Sequence, residues 1–203
     1  HSFQKTALTL LGKRDKTPEE VLYMKRSLLA LRTQTSLLAR IAAVAPRFIP
    51  IHQLEIIAKE TEALAVFSKE LGRLLDSDKE INYALFFLNS YELRPGGGFI
   101  GSIGKITMKQ YTLTQFVIED VYELDGQIID HHDPHFAVRT YLNQPHEFLR
   151  DSNFSPDFKT AVRKALPYLR YLPVFDVAYD GAIGITTGAF EKLLEVTGPV
   201  YLS

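Results

Sequence analysis

Tyr83-Ala84-Leu85-Phe86-Phe87-Leu88 is the stretch on which the architecture turns. A short, unbroken apolar run of this kind fits a strand buried on both faces. Upstream of Lys79 the apolar residues recur with a period of about 3.6 and downstream with a period of about 2, so helices give way to a sheet there. A Pro/Gly turn follows the run. Residues 99–108 and 113–121, rich in β-branched and aromatic side chains, predict two more strands. Residues 127–145 read as a loop, with two Pro and four of the six His in or beside it. A helix is predicted from Asp157-Phe158 to about residue 171, with Pro167 as a kink. Residues 177–186 predict a strand weakened by Gly181 and Gly184. Residues 187–196 predict a helix, stopped by Gly198-Pro199 ahead of a further strand.

Toward the N-terminus, Thr17-Pro18-Glu19-Glu20 is a helix start, with Thr as N-cap, Pro at the first helical position and acids where the helix dipole favours them. Val21, Met24, Leu28, Leu31, Thr35, Leu38, Ala42 and Ala45 then recur at three- and four-residue spacing, an amphipathic helix of about seven turns. Pro46 and Pro50 break it. Leu54, Ile57, Thr61, Leu64, Ser68, Leu71 and Leu75 repeat the spacing, so the pair reads as an antiparallel helical hairpin. Small and polar seam residues make it a modest coiled coil that serves as a stalk or packing layer. The expected fold class is α/β, with α+β as its variant: a hairpin over residues 1–78, then an αβα-type mixed-sheet domain over residues 79–203.

The 203 residues are 46% hydrophobic and 23% charged, with 12 Gly and 10 Pro, which excludes disordered and collagen-like chains. Lys+Arg 23 against Asp+Glu 24 gives a net charge of −1, which argues against a nucleic-acid partner. The absence of Cys removes disulfides, thiolate zinc sites and cysteine nucleophiles, and is as compatible with a bacterial envelope protein as with a cytosolic one. Locally the balance breaks down. Residues 1–47 carry nine Lys/Arg against three acids, whereas six acids and no base lie between Lys109 and Arg139. No apolar run is long enough to span a membrane and no signal-peptide pattern opens the chain. It begins at His1-Ser2 and stops at Tyr201-Leu202-Ser203 just after a strand start, and is expected to be a fragment, truncated at its C-terminus, with room for an anchor or signal upstream.

Arg94-Pro95-Gly96-Gly97-Gly98-Phe99-Ile100-Gly101-Ser102 is the most unusual segment. Consecutive glycines expose backbone N–H groups and tolerate positive φ, as anion-binding loops require, and Arg94 can offer a fork to phosphate or carboxylate. The same residues fit a tight strand-to-strand turn, and both readings stay open. Gly96, Gly98 and Gly101 match G-x-G-x-x-G, but a strand in place of a helix after them denies a pyrophosphate its helix N-terminus. His131, His132, Asp133 and His135 offer metal-type ligands at poor spacing, so a solvated loop fits them better. In Arg150-Asp151-Ser152-Asn153-Phe154-Ser155-Pro156-Asp157-Phe158, helix capping explains Ser155 and Asp157 but not Arg150, Asp151 and Asn153. Lys159, Arg163, Lys164 and Arg170 beyond it make either a solvated face or a contact for an anionic headgroup or polyphosphate. Serine-hydrolase and kinase signatures are absent.

Together with Asp120-Val121-Tyr122-Glu123-Leu124-Asp125, Tyr179-Asp180-Gly181-Ala182-Ile183 and Thr197-Gly198-Pro199-Val200, the segments Glu92 to Ser102 and Arg150 to Phe158 come in the order and approximate spacing of a bacterial family, domain of unknown function 4012. The chain resembles that family over about residues 80–203. Members commonly carry Pro-Thr-Gly-Gly-Phe and Asn-Trp-Ser-Pro-Asp-Phe where this chain has Pro95-Gly96-Gly97-Gly98-Phe99 and Asn153-Phe154-Ser155-Pro156-Asp157-Phe158. The hairpin resembles the region that follows a membrane anchor in the family. The plan is also loosely similar to the LytR-CpsA-Psr domain, an αβα fold whose enzymes move glycopolymers from a polyprenyl-pyrophosphate lipid to the cell wall outside the membrane.

That second resemblance implies Arg94, Arg150 and Asp151 as catalytic residues, the arginines clamping pyrophosphate. It also implies Mg²⁺ near Asp120 or Asp151; the anion-loop reading adds Gly96, Gly97, Gly98 and, with them, Asn153 as ligand-binding. Such a set suits phosphoryl transfer, which rests on positioning and charge neutralisation. Two functions are therefore expected. One is an extracytoplasmic, membrane-anchored cell-envelope domain that binds a polyprenyl-(pyro)phosphate lipid or transfers glycopolymer phosphate. The other is a non-enzymatic envelope protein of assembly or adhesion, in which the glycine loop and the Asn153 segment brace each other.

Overall fold

The structure, a computed structural model, describes residues 13, 15–44, 52–75, 78–130 and 132–198. Pro46, Pro50, His131, Pro199 and the strand expected after Gly198 lie partly or wholly outside them. Contacts divide the chain into two compact units, residues 1–81 with 107–114 and residues 82–106 with 115–203. The domain boundary expected after residue 78 leaves residues 107–114 with the sheet; the contacts group them with the helices.

In the first unit, α1 (Pro18–Val44) and α2 (His52–Leu75) pack along each other. A capping box opens α1: the Thr17 N–H donates to Glu20 Oε2 at 2.8 Å and the Glu20 N–H to Thr17 Oγ1 at 3.3 Å. Thr35 faces Ser68 across the seam, Leu28 lies against Gly72, and Met24 shares a cluster with Leu75. Partners rise along α2 as they fall along α1, so the helices are antiparallel. The polar seam has a local reason. Thr35 and Ser68 are both buried: one hydroxyl donates to the other across 3.0 Å, and the accepting one donates to a carbonyl of its own helix. The same unit holds the tip of a hairpin between β2 (Phe99–Lys109) and β3 (Thr112–Asp120). Gln110 and Tyr111, at φ 45° and 64°, form the two-residue turn that an antiparallel hairpin favours. Tyr111 is buried beside Met24, Leu75 and Met108, and its N–H donates to Leu75 O at 2.8 Å.

In the second unit β1 (Ile81–Asn89) lies between β2 and β4 (Gly181–Thr186), in a mixed sheet of order β3-β2-β1-β4 among the described residues. β1 runs parallel to β4, with Tyr83 opposite Gly181 and Leu88 opposite Thr186. This central position explains the unbroken apolar run: Ala84, Leu85, Phe86 and Leu88 are all buried. The chain is thus α/β, with α+β features: helices first, then a mixed sheet with helices. The core joins Ala84, Phe86 and Leu88 to Ile100 and Ile103 of β2 and to Ala165 and Leu169 of α5 (Phe158–Leu169). Asp157 caps α5 by accepting from the Thr160 N–H at 2.8 Å, and Pro167 sits inside the helix without ending it.

Three local expectations change. The strand predicted from 177 begins at Gly181, because Asp180 folds back on β1: its N–H donates to Asn82 O, and its Oδ2 accepts from the Asn82 N–H, both at 2.9 Å. Gly181 and Gly184 do not weaken β4; they make room for the rings of Tyr83 and Phe158, which lie where a Cβ would stand. The segment read as a loop contains α4 (Phe136–Leu142), capped by His135 and closed by Asn143 in the left-handed region. Only Val138 of its seven residues is buried, so it writes no apolar stripe. β3 gives way at Asp120 to the short α3 (Val121–Asp125), and β4 leads into α6 (Thr187–Thr197).

Candidate functional site

Three segments of the second unit meet around one carboxylate. The loop between β1 and β2 carries Arg94 and the glycines, α3 ends on Asp125, and a single 3₁₀ turn, Leu149–Asp151, presents Arg150, Asp151 and then Asn153. Asp151, 3% exposed, lies between two guanidiniums: Arg94 Nη2 is 3.7 Å from Oδ1 and Arg150 Nε is 3.7 Å from Oδ2. Those separations are ion pairs, too long for hydrogen bonds. Asp151 Oδ2 and Arg94 Nε are buried without a hydrogen-bond partner among the described residues.

Each arginine has a second carboxylate. Arg94 Nη2 lies 3.0 Å from Glu92 Oε1, and Arg94 stands over the Phe99 ring. Arg150 Nη1 donates to Asp125 Oδ2 at 2.7 Å, while the Leu149 N–H donates to Asp125 Oδ1 at 2.8 Å. The Arg150 guanidinium also lies over Phe148 at 4.0 Å and near Tyr122 at 5.3 Å, so rings cover the flat faces of the fork. The two side chains are 13% and 15% exposed. Burial pushes the Asp125 carboxyl above its ordinary value, against the opposing pull of Arg150 and the Leu149 N–H. Burial does the same to Asp151, against Arg150 and Arg94.

The glycine loop closes onto protein. The Gly96 N–H donates to Asn153 O at 3.0 Å, and Asn153 Nδ2 donates to Gly98 O at 2.7 Å. A Cβ on Gly96 would stand 2.5 Å from Asn153 O, and one on Gly98, at φ 133°, 2.3 Å from Asn89 O. These two glycines are required by close backbone approach and by positive φ. Gly97 also has positive φ. Asn153 is 4% exposed, and its Oδ1 has no partner among the described residues.

Arg94, Arg150, Asp151, Gly96, Gly98 and Asn153, singled out from the sequence, are therefore brought together by direct contacts. Asp120 is used differently. Exposed at the end of β3, it caps α3 by accepting from the Tyr122 N–H at 2.8 Å. Neither residue expected near Mg²⁺ is well placed for it, since Asp120 is a helix cap and Asp151 is already faced by two cations. No group of three His, Asp or Glu side chains able to hold a metal occurs among the described residues. In the histidine-rich segment, His135 caps α4 and stacks on Phe154, Asp133 pairs with Arg139 at 2.6 Å, and His132 meets the edge of Tyr168.

Sequence reasoning passed over Asp125, the main partner of Arg150. The run of acids without a base was its signal, because a buried acid in such a stretch must find its cation elsewhere in the chain. Glu147 was also missed. It is buried, paired with Lys164, and accepts from the Tyr168 OH at 3.2 Å. Desolvation and Glu147 raise the Tyr168 phenol well above its ordinary value.

No curated protein and no solved structure matches the chain, so the LytR-CpsA-Psr likeness gains no support from either comparison. One family model, described as a protein of unknown function (DUF4012), matches residues 78–203. The match takes in the whole constellation around Asp151 and more than half of the sequence, and the chain belongs to the DUF4012 family.

Proposed function

We propose that this chain is a non-enzymatic module of the bacterial cell envelope, held on the extracytoplasmic side of the membrane, with a role in assembly or adhesion. In this reading the arginine–carboxylate cluster fixes the shape of the sheet domain. Asp151 carries the argument: it is 3% exposed and clasped by two largely covered arginines whose charges are already balanced by Asp125, Glu92 and Asp151 itself. The glycine loop supports it, because the Gly96 N–H and the Gly98 carbonyl are engaged by Asn153 and form no open cradle for an anion. Placement in the envelope rests on the resemblance of the hairpin to the region after a membrane anchor.

A second reading keeps the domain as a binder of polyprenyl-(pyro)phosphate lipids, or a transferase of glycopolymer phosphate. One observation favours it: two guanidiniums converge on a single anionic group, as recognition of a phosphate demands. The ligand would have to displace Asp151. Titration of the whole chain and of Arg94→Ala with a short-chain polyprenyl phosphate, beside urea unfolding of both, separates the two. The structural reading expects no saturable binding by either protein and a variant weaker by about 1–3 kcal/mol. Saturable binding by the wild type that vanishes in an equally stable Arg94→Ala protein overturns it.

A further inference from the structure

On α1 the face opposite the seam carries a second periodic pattern. Leu22, Arg26, Leu29, Thr33, Leu37, Arg40 and Val44 follow one another at three- and four-residue spacing, which places them on one side of the helix. Of the expected seam residues on the other side, Met24, Thr35 and Ala42 are buried, whereas Leu31 and Leu38 are exposed. All seven members of the outer stripe are exposed, and its apolar ones heavily so: Leu29 is 62% exposed, Leu37 56%, Val44 48% and Leu22 47%. An ordinary solvated helix does not repeat leucine on its water side at this spacing.

Charge on this helix is one-sided in sign. After Glu20, α1 carries Lys25, Arg26, Arg32 and Arg40 and no acid. Lys25 and Arg32 flank the stripe and, with Lys69 and Arg73 of α2, line a groove of about 360 Å³ in the first unit. Arg73 is partly neutralised by Glu70 at 3.0 Å. Exposed leucines with Arg26 and Arg40 among them give a face that can meet a membrane interface, the apolar side chains reaching the acyl boundary and the long arginine side chains turning to headgroup phosphates. No described helix is long and apolar enough to cross a bilayer.

We propose that the outer face of α1 docks on an anionic lipid surface, through Leu22, Leu29, Leu37 and Val44 with Arg26 and Arg40 among them. Charge complementarity selects this occupant. A second copy using the same face would set Arg26 and Arg40 against like charges, which opposes association. The inference stands on the helical hairpin alone and does not depend on whether the sheet domain binds a ligand.

The test is flotation of the whole chain with vesicles of phosphatidylglycerol and phosphatidylcholine in equal parts, against vesicles of phosphatidylcholine alone. The protein should float with the anionic vesicles and be released by added salt. Each of Arg26→Gln and Arg40→Gln should lower the partition coefficient roughly fivefold, and Leu29→Ser should lower it further at unchanged helicity. The chain has no Trp, so Thr33→Trp places a single reporter in the middle of the stripe. Its emission should shift to the blue on anionic vesicles only. Equal flotation with both kinds of vesicle, Arg26→Gln and Arg40→Gln proteins that float like the wild type, or unchanged emission from Thr33→Trp overturns the proposal.

Discussion

The arginines of the sheet domain and those of the first helix carry the same chemistry to opposite ends. Arg94 and Arg150 are covered by rings and balanced by Glu92, Asp125 and Asp151, three carboxylates drawn from three segments. Arg26, Arg32 and Arg40 lie exposed on a helix with no acid after Glu20, among leucines that are exposed as well. Desolvation accounts for the contrast. A covered guanidinium must be matched by carboxylates or the fold is lost, whereas an exposed one costs little and remains available to an external anion. The first region holds a shape; the second offers a surface.

The largest expected effect that could break this comparison is that of Arg150→Ala. It strands Asp125 and weakens the clasp on Asp151, and urea unfolding should show a loss of about 3–5 kcal/mol; a loss below about 1 kcal/mol would place Arg150 with the surface arginines. Gly98→Ala comes next, at about 2–3 kcal/mol, because a Cβ must stand 2.3 Å from Asn89 O at φ 133°. Asn153→Ala removes the donor to Gly98 O and should cost about 1–2 kcal/mol by the same assay.

A subtler effect lies in the pH dependence. Burial raises Asp125 and Asp151, so between the ordinary and the raised value the native state holds protons that the unfolded chain has released. Stability therefore falls as pH rises through that window and levels off above it. In Asp151→Asn the fall should be shallower, seen as a flatter dependence of the denaturation midpoint on pH above the ordinary carboxylate value. An unchanged slope would mean that Asp151 is not held above its ordinary value. The smallest effect belongs to the other region: Leu29→Ser should change stability by no more than about 0.5 kcal/mol, and a larger loss in thermal or urea unfolding would make the outer stripe part of the core.

Much of this was legible in the residues. Thr17-Pro18-Glu19-Glu20 announced α1, and the spacing of Leu28, Thr35 and Ser68 marked the hairpin's seam, including its polar members, although Leu31, Leu38 and Leu64 at the same spacing stand exposed. Tyr83 to Leu88 marked the central strand, since a strand flanked on both sides, with Ala84, Phe86 and Leu88 buried on one face and Leu85 on the other, has little room for polar side chains. Helix capping left Arg150, Asp151 and Asn153 unexplained, and it was the LytR-CpsA-Psr resemblance that set Arg94 beside Arg150 and Asp151. What stayed hidden was short or distant. α4 buries only Val138 and writes no period. Asp125 pairs with Arg150 across 25 positions, and nothing local marks it apart from its acidic neighbours. Asp120 was placed near a metal only by the LytR-CpsA-Psr resemblance, and the same carboxylate chemistry serves it as a helix cap.

The central claim is that the arginines around Asp151 hold the fold, and a double-mutant cycle on Arg150→Ala and Asp125→Ala in urea tests it most directly. Each single variant should lose about 3–5 kcal/mol. The double variant should lose less than the sum by at least about 1.5 kcal/mol, because removing both partners leaves no stranded charge. Single variants within about 0.5 kcal/mol of the wild type, with no coupling between them, would contradict the account and return these residues to the search for a ligand.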